Sequence, residues 1–205
     1  MAQPAKTPAL AEGRRERKRR ETRVRIADAA MALFRKNGFS SVTVDEIAEA
    51  ADVSKRTFFG YFPAKEDVVS AWQDKFMEPL AAAIAAGPKG ETPTEAVERA
   101  MLDTLAQTAS AESFEITALI RKTPALASRE QRKYVHLEQR LYEALLARYP
   151  RENSLGLKLL AMIVIGALRL GADEWQATEG LRPSDILPFT RKVFRTLWKQ
   201  LAKLR

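Results

Sequence analysis

Cysteine is absent from the chain, and histidine occurs once, at His136. The first absence excludes disulfides, thiolate nucleophiles and thiolate metal sites, and a single histidine leaves little for the usual zinc sites. A glycine-rich phosphate loop and the spacing of metal-binding His and Asp residues are also missing. Catalysis would need a nucleophile with its base, a carboxylate pair in a cleft or a metal. We therefore predict a protein that is not an enzyme and uses no cofactor or metal.

Long apolar runs are scarce as well. The longest covers residues 159–168, between Lys158 and Arg169, whereas a membrane-spanning helix needs roughly 20 such residues. We interpret this run as a buried helix. Residues 1–10 have no apolar stretch of the length found in signal peptides. With 205 residues, 46% of them hydrophobic, the chain can bury a sizeable core, and we expect a soluble, cytoplasmic protein.

Positive charge is concentrated at one end. The chain carries 34 Lys and Arg against 26 Asp and Glu, a net +8, and residues 1–65 account for +6 of it. The run at 14–25, RRERKRRETRVR, has eight basic residues among twelve. It has almost no apolar face before Val24, which disfavours membrane insertion. Contact with nucleic-acid phosphates is favoured, while a solvated start to a helix stays open as the alternative. The predicted contacts are Arg14, Arg15, Arg17, Lys18, Arg19 and Arg20.

The first third of the chain predicts three helices after a disordered arm over residues 1–13, which is rich in Pro and Ala. Apolar residues at helical spacing, among them Ile26, Ala30 and Phe34, define the first helix. Gly38 is suited to a left-handed cap at its end. Thr43 and Glu46 form a capping box for the second helix.

The third helix follows a tight turn at Asp52 and Val53, is capped by Ser54 and extends to Phe62. Two short helices joined by a turn of three to four residues describe a helix-turn-helix, although short core helices of a bundle would give a similar pattern. Phe58 and Phe62 would anchor the third helix in the core. The residues turned outward, where a DNA groove could receive them, are Lys55, Arg56, Thr57, Phe59, Gly60 and Tyr61.

The rest of the chain also predicts helices. We expect them over residues 64–86, 92–109, 112–122, 128–149, 154–176 and 183–204. The period-two alternation that strands need is missing. The fold class is therefore all-α with about nine helices, divided into a DNA-binding domain over 14–63 and a second domain over 64–205.

The segment from Arg25 to Val69 resembles the TetR-type transcriptional regulators. The motifs that carry the resemblance are Gly38-Phe39, Thr43, Ile47-Ala48, Val53-Ser54, Thr57, Phe59, Tyr61-Phe62 and Lys65-Glu66. The resemblance implies that the first three helices form the DNA-binding domain and that the third is the recognition helix. The implied DNA-binding residues are Thr43, Ser54, Lys55, Arg56, Thr57, Phe59, Gly60, Tyr61 and Lys65, with Thr43 and Lys65 on the DNA backbone.

Two positions depart from the family pattern. Asp52 stands where the family often has glycine, which is tolerable because Asp visits the left-handed region more readily than most residues. Phe59 replaces the common tyrosine and so lacks a hydroxyl, which removes one phosphate contact and changes base preference. The basic run before the first helix is similar to family members whose arm adds a second electrostatic contact, in the minor groove.

Beyond Val69 the resemblance is architectural. Residues 121–126 and 173–175 are similar to a subset of the family with an acyl-CoA-like ligand domain. This resemblance implies a pocket for a small-molecule effector, acyl-CoA-like or otherwise hydrophobic. Aromatic residues at helical spacing also fit a simple core. The candidate pocket residues are Trp72, Phe76, Phe114, Leu119, Arg121 and Tyr142.

Dimerisation has support from the residues themselves. The helix over 154–176 is apolar on most sides, more than one core face requires, and the last helix repeats this pattern. A core within one chain is the alternative explanation. The predicted interface residues are Leu160, Ile163, Val164, Ala167, Val193 and Leu197.

Together these features predict a ligand-responsive homodimeric regulator. We expect a repressor that binds a palindromic double-stranded DNA operator and is released by a small molecule, with the fourth helix transmitting the signal. The alternative is a constitutive, nucleoid-type DNA-binding protein that senses no ligand.

Overall fold

The computed structural model describes residues 13–203, apart from the side chains of Gln73 and of residues 128–133. The described residues form nine α-helices and two short 3-10 helices, with no strand among them, so the all-α prediction is confirmed. The α-helices are α1 (Arg14–Asn37), α2 (Val44–Ala50), α3 (Lys55–Tyr61), α4 (Val68–Ala85), α5 (Pro93–Thr108), α6 (Ala111–Lys122), α7 (Pro124–Arg148), α8 (Ser154–Ala177) and α9 (Ile186–Ala202). The predicted disordered arm, except Gly13, lies outside the described residues.

Local sequence signals fix most helix boundaries. At the start of α5, Thr92 accepts a hydrogen bond from the Glu95 amide, and Pro93 occupies the first turn, where its missing N–H costs nothing. At the end of α1, Gly38 has the expected positive φ of 79°, but its ψ of 150° places it outside the left-handed helical region. The cap still forms, because the Gly38 amide donates to the carbonyl oxygen of Phe34.

Several helix boundaries differ from those predicted. Helix α7 begins at Pro124 rather than at residue 128, because proline is preformed for a first helical turn. Ser128, predicted to cap this helix, lies inside it. Short 3-10 helices at Lys65–Asp67 and Pro183–Asp185 precede α4 and α9, which therefore begin later than expected. Pro79 lies inside α4 and contributes no N–H to its hydrogen-bond ladder.

Contacts divide the chain into two compact units, residues 1–72 and 73–205. The boundary predicted from the sequence, at residue 63, lies nine residues before this division. The reason is local: Val68, Val69 and Ala71 are fully buried, and Ser70 accepts a 3.1 Å hydrogen bond from Arg23 of α1. The start of α4 therefore belongs to the amino-terminal unit. The core of this unit includes Ile26, Ala30, Phe34, Ile47, Phe58 and Phe62.

The carboxy-terminal unit has its own core, to which α4, α5, α7, α8 and α9 contribute. Its fully buried members include Leu80, Met101, Leu141 and Ile165. These apolar residues recur three or four positions apart along their helices, as expected for helix faces that pack on one another.

An ion cluster lies at the C-terminal end of α4, in the carboxy-terminal unit. The carboxylate of Glu91, only 8% exposed, contacts the guanidinium groups of Arg99 at 2.7 Å and Arg148 at 3.3 Å. Arg99 also donates to the carbonyl oxygen of Ala83 at 3.1 Å, and Arg148 donates to that of Ile84. The two cations thus satisfy carbonyls left free at the helix C-terminus. The hydrogen bond from Arg99 is the main cause that lowers the pKa of Glu91.

Helix α8 is not buried all round, contrary to the sequence-based interpretation. Leu155, Leu159, Met162 and Leu170 are 65%, 45%, 48% and 62% exposed. Among the helices that the structure describes, α8 alone is long and apolar enough to cross a membrane by length and composition, and 22% of its most apolar window is buried. One side of the helix lies in the core through Leu157, Ala161 and Val164. The exposed residues lie on the other side of the helix, at positions that share one helical face.

Candidate nucleic-acid interface

The second helix begins with a closed capping box. Thr43 accepts a hydrogen bond of 3.2 Å from the Glu46 amide, and the Glu46 carboxylate accepts from the Thr43 amide at 2.7 Å and hydroxyl at 2.8 Å. These hydrogen bonds from Thr43 are the largest cause that lowers the pKa of Glu46. Thr43, predicted to contact the DNA backbone, therefore stands exposed at the first turn of α2 with its hydroxyl engaged in the cap.

Asp52 sets the turn between α2 and α3. Its φ of 50° makes it the one non-glycine residue with positive φ among those described, as predicted for the position where the family often has glycine. The Val53 amide donates to the carbonyl oxygen of Ala48 at 2.9 Å, and Ala48 is buried. The two helices therefore meet through a small side chain and a short, hydrogen-bonded turn.

Helix α3 is anchored on one side and capped at its start. Phe58 and Phe62 are 0% and 1% exposed, and their ring centroids are 5.8 Å apart. The Ser54 hydroxyl accepts from the Thr57 amide at 3.0 Å and lies 2.8 Å from the Thr57 hydroxyl. Both hydroxyls predicted for DNA contact thus take part in the cap.

The outer surface of α3 consists of three rows, because residues four apart on a helix lie one above the other. Opposite the buried phenylalanines is the middle row, Arg56 and Gly60, and both are exposed. One edge carries Lys55 and Phe59, and the other carries Thr57 and Tyr61. All six outward residues predicted from the sequence are therefore on the surface or half-buried, with Gly60 at the centre.

The side chain of Lys55 is already paired within the unit. Its ammonium group lies 2.8 Å from the carboxylate of Asp45 on α2. Both side chains are more than half exposed, so water screens the pair and its contribution to stability is small. Lys55 can therefore exchange Asp45 for a phosphate or a base edge at little cost.

Lys65, predicted to contact a phosphate, is turned inward in the free protein. Its ammonium group donates to the carbonyl oxygens of Phe39 at 2.9 Å and Val42 at 2.8 Å. It also lies 4.2 Å from the centroid of the Phe39 ring, a cation–π distance. The long, flexible lysine side chain folds back to satisfy carbonyls beyond α1, so its role in the free protein is structural.

A basic cleft lies between the first turns of α1 and the outer side of α3. Its volume is about 720 Å³, and it is open to solvent. Three cations and one carboxylate from α1 face hydroxyl groups from α3, a set of donors that suits a phosphodiester backbone. The lining residues are Arg15, Glu16, Lys18, Arg19, Thr22, Thr57, Gly60 and Tyr61.

The basic run, for which the family resemblance implies a minor-groove contact, is helical. Residues 14–20 form the first turns of α1, and an α-helix is about 10–12 Å wide whereas a minor groove is about 6 Å wide. Of the six cations predicted there, Arg15, Lys18 and Arg19 line the cleft. Arg14, Arg17 and Arg20 are exposed but outside its lining.

Sequence reasoning missed two residues of this interface. Thr22 lines the cleft one turn after Lys18, and its position on the same helical face was the available signal. Arg23 lies over the ring of Phe62, 5.4 Å from its centroid, and so joins α1 to the end of α3. That contact depends on tertiary structure and has no sequence signal.

The six predicted effector-pocket residues divide into separate groups. Phe114 stacks on Trp175 with centroids 5.4 Å apart, and Arg121 pairs with Asp173 at 2.9 Å. Phe76 and Tyr142 instead pack against the core formed by α4, α5, α7, α8 and α9. Leu119 is half-buried, and Trp72 belongs to the amino-terminal unit. Trp175 also meets the ring of Phe189 edge to face, with centroids 5.1 Å apart.

The predicted dimer residues lie mainly on the inner side of their helices. Val164 is fully buried and Leu160 packs against the core of its own chain, so Val164 is corrected to a core residue. The Val193 side chain contacts Gly171 closely, since a Cβ on Gly171 would lie 3.1 Å from it. Ile163, Ala167 and Leu197 are half-buried. The exposed apolar face of α8 lies at positions 155, 159, 162 and 170 instead.

Comparisons with known proteins identify relatives of both parts of the chain. Residues 26–72 match the family model described as bacterial regulatory proteins, tetR family. The HTH-type transcriptional regulator TcmR of Streptomyces glaucescens is 33% identical over 144 residues, 66% of this chain and 64% of that protein. The uncharacterised HTH-type transcriptional regulator TtgW of Pseudomonas putida is 34% identical over 97 residues, 47% of this chain and 72% of that protein.

The chain spans less than two thirds of the length of the first curated relatives, 64% in the case of TcmR. Solved structures show the same fold. A TetR-family regulator from Syntrophomonas wolfei aligns with a TM-score of 0.59 at 14% identity, covering 87% of this chain and 95% of that one. This likeness extends over both units and supports the fold alone.

Proposed function

Because this chain belongs to the tetR family of bacterial regulatory proteins, we propose that it is a DNA-binding transcriptional regulator of the cytoplasm. In this function the chain is a repressor that binds a palindromic double-stranded operator as a homodimer and leaves it when a small molecule binds. No step of this function is catalytic.

The observation that carries the proposal is the cleft between α1 and α3. Cations on α1 and hydroxyl groups on α3 face a common open space, in which one strand of the DNA backbone fits by charge and by hydrogen bonding. The exposed middle row of α3, Arg56 and Gly60, then faces the base edges in the major groove. Backbone contacts fix the register, and α3 reads the sequence.

A homodimer supplies the second recognition helix. The exposed leucines and methionine of α8 form an apolar face that a second copy of the same helix covers in a two-fold arrangement. Two copies of α3 related by this symmetry read half-sites about 34 Å apart, one helical turn of DNA, or a multiple of that distance.

An effector acts by changing the preferred separation of the two recognition helices. We assign it to the carboxy-terminal unit and to an acyl-CoA-like or otherwise hydrophobic class, because that unit supplies the aromatic groups around Trp175 and Tyr142. The residues of α4 are shared between the two units, and we assign the transmission of the signal to this helix. A coupling free energy of about 1–3 kcal/mol weakens operator binding about 5–150-fold.

Binding of the purified full chain to DNA upstream of its own gene tests the function. Fluorescence anisotropy at fixed salt is compared with a scrambled duplex of equal length. Saturable binding of two chains per specific site, with weak binding to the scrambled duplex, supports the regulator. Equal, salt-sensitive binding to both duplexes, together with equal binding to genomic fragments in a pull-down, favours the constitutive nucleoid-type alternative.

A further inference from the structure

We propose that Phe59 recognises the 5-methyl group of a thymine in each half-site of the operator. The inference rests on the proposed function and deepens it, because it assigns the base chemistry read by one edge of α3. The observations that lead to it are the exposure of Phe59, its packing against the buried ring of Phe58 and the open space at Gly60.

Phe59 is unusual within its own unit. It is 47% exposed, and no other large hydrophobic residue is exposed among the described residues of the amino-terminal unit. An exposed phenylalanine has no polar atom that water can satisfy, and an isolated apolar ring at a polar surface gains free energy when a partner covers it. The location on α3 makes DNA that partner.

The ring of Phe59 is held in place from behind. It meets the ring of Phe58 edge to face, with centroids 5.5 Å apart and an interplanar angle of 90°. Phe58 is completely buried, so the supporting ring is packed in the core of the unit. Such aromatic pairs contribute beyond the area that they bury, and a positioned ring loses little conformational entropy on binding.

One polar residue on the same edge of α3 as Phe59 has a partner within the protein. Lys55, one turn earlier, pairs with Asp45 at 2.8 Å. Arg56 and Phe59 are then the exposed side chains of α3 to which the structure gives no hydrogen bond or ion pair.

Gly60 allows the helix to approach the bases closely. A Cβ at this position would meet no atom of the protein within 4 Å, so packing does not require glycine there. Glycine in a helix interior is destabilising relative to alanine. The position next to Phe59 is thus recessed, which brings the ring edge closer to the floor of the major groove.

The chemistry of the groove selects thymine. Among the groups that bases present in the major groove, the C5-methyl of thymine is the apolar one. Phenylalanine neither donates nor accepts a hydrogen bond, so the amino and carbonyl groups of the other bases lose water against it without compensation. A contact between Phe59 and sugar or phosphate would not depend on the base methyl, and the two cases differ in the experiment below.

The experiment starts with selection of bound sequences from a pool of randomised duplexes by the full chain. Each thymine of the selected operator is then replaced by deoxyuridine, which removes the methyl group and keeps the base pair. We expect symmetric replacement at one position to weaken binding about fourfold per half-site, the factor for one buried methyl group, and about fifteenfold for both half-sites.

Two variants test whether the loss of affinity on removing the thymine methyl depends on Phe59. Phe59→Ala should bind the thymine and deoxyuridine operators equally, whereas Phe59→Tyr, which keeps the ring, should retain the discrimination. Because Phe59 is half exposed, both variants should fold, and circular dichroism melting checks this. The deoxyuridine series on the unaltered chain needs no variant.

The outcomes separate the inference from the function on which it rests. Failure to enrich any sequence contradicts the proposed regulator itself. An enriched operator whose affinity ignores every thymine methyl, or a methyl dependence that persists in Phe59→Ala, overturns the role of Phe59 and leaves the regulator standing.

Discussion

The ammonium group of Lys65 lies 4.2 Å from the centroid of the Phe39 ring and donates a 2.9 Å hydrogen bond to the carbonyl oxygen of the same residue. A second bond, to Val42, completes the anchor. One side chain thereby joins the end of the three-helix region to the segment that connects α1 and α2. These contacts indicate that Lys65 stabilises the amino-terminal unit.

Replacing Lys65 with Gln should therefore lower the free energy of unfolding. Hydrogen bonds that involve a charged group contribute about 1.5–3 kcal/mol, and we expect a loss of that order in urea unfolding. Lys89→Gln, which removes the same charge from an exposed loop residue, is the matched control and should be close to neutral. Equal stability of the two variants would contradict the structural role of Lys65.

Removing the cleft cations should reduce the salt dependence of DNA binding. The triple variant Arg15→Ala, Lys18→Ala, Arg19→Ala keeps α1 helical, because alanine favours helices. Each phosphate contact contributes about 0.9 to the slope of log affinity against log salt concentration, so the slope should fall by about 2–3. The measurement is anisotropy at four salt concentrations.

A triple variant of α9 controls for net charge in that experiment. Arg191→Ala, Arg195→Ala, Lys199→Ala removes three exposed cations from the carboxy-terminal unit. Its slope should match that of the unaltered chain. The same decrease in both triple variants would mean that the cleft contributes no specific phosphate contacts.

Gly60→Ala should have opposite effects on stability and on DNA binding. A methyl group there meets no protein atom, and alanine in a helix interior is more stable than glycine by about 0.5–1 kcal/mol. The same methyl group points at the base edges, and we expect an affinity loss of about tenfold, equivalent to about 1.4 kcal/mol. Gly156→Ala in α8, where a Cβ makes an ordinary contact with Asn153, should change stability alone. An unchanged operator affinity in Gly60→Ala would show that this face of α3 stays away from the bases.

Glu91 should make folding stability depend on pH in the acid range. Its pKa lies below the ordinary value of 4.5, mainly because of the hydrogen bond from Arg99. A lowered pKa means that the stabilisation is complete above 4.5 and is lost as the pH falls toward the pKa of the folded state. Glu91→Gln should cost about 2–3 kcal/mol at neutral pH, and the difference from the unaltered chain should shrink below pH 4.5.

Gly87→Ala tests the same cluster from the backbone side. A Cβ there would overlap the Arg99 guanidinium and lie 2.5 Å from the Glu91 carboxylate, so the side chains of the ion cluster would have to shift. The effects of Gly87→Ala and Glu91→Gln should be much less than additive in the double variant. Full additivity would show that the two changes act on separate interactions.

The exposed face of α8 should control the oligomeric state. Leu159→Glu places a charge in the proposed interface, where burying it without a partner is costly, and the dimer should weaken by about tenfold or more. Val135→Glu on α7, where the side chain is 70% exposed, is the control. Sedimentation velocity over a concentration series measures both. A dimer that is unaffected by Leu159→Glu would place the interface elsewhere.

Short-range chemistry explains what could be predicted from the sequence. The capping boxes at Thr43 and Thr92, the turn at Asp52 and the inward pair Phe58 and Phe62 all depend on residues within a few positions of one another. Such features are determined by local hydrogen bonds and by helical period, and the structure has each of them.

The features that could not be predicted from the sequence depend on tertiary structure. The Lys65 side chain is long enough to contact either a phosphate or distant backbone carbonyls. Its folded-back conformation depends on where α1 ends. Helix α8 is apolar on most sides, so the helical period alone does not distinguish Val164 in the core from Leu159 on the surface. The predicted pocket residues were chosen by type, whereas their partners, such as Trp175 for Phe114, come from other helices.

The helical state of residues 14–20 has a thermodynamic consequence for DNA binding. A disordered basic arm would order itself only on the DNA, and the association would then include the entropy and the heat capacity change of folding. In α1 these residues are already ordered by the helix that continues to Asn37. The conformational entropy of this segment is therefore lost when the protein folds and not when it meets DNA. Calorimetry of the complex should accordingly report only the heat capacity change of the surfaces brought into contact.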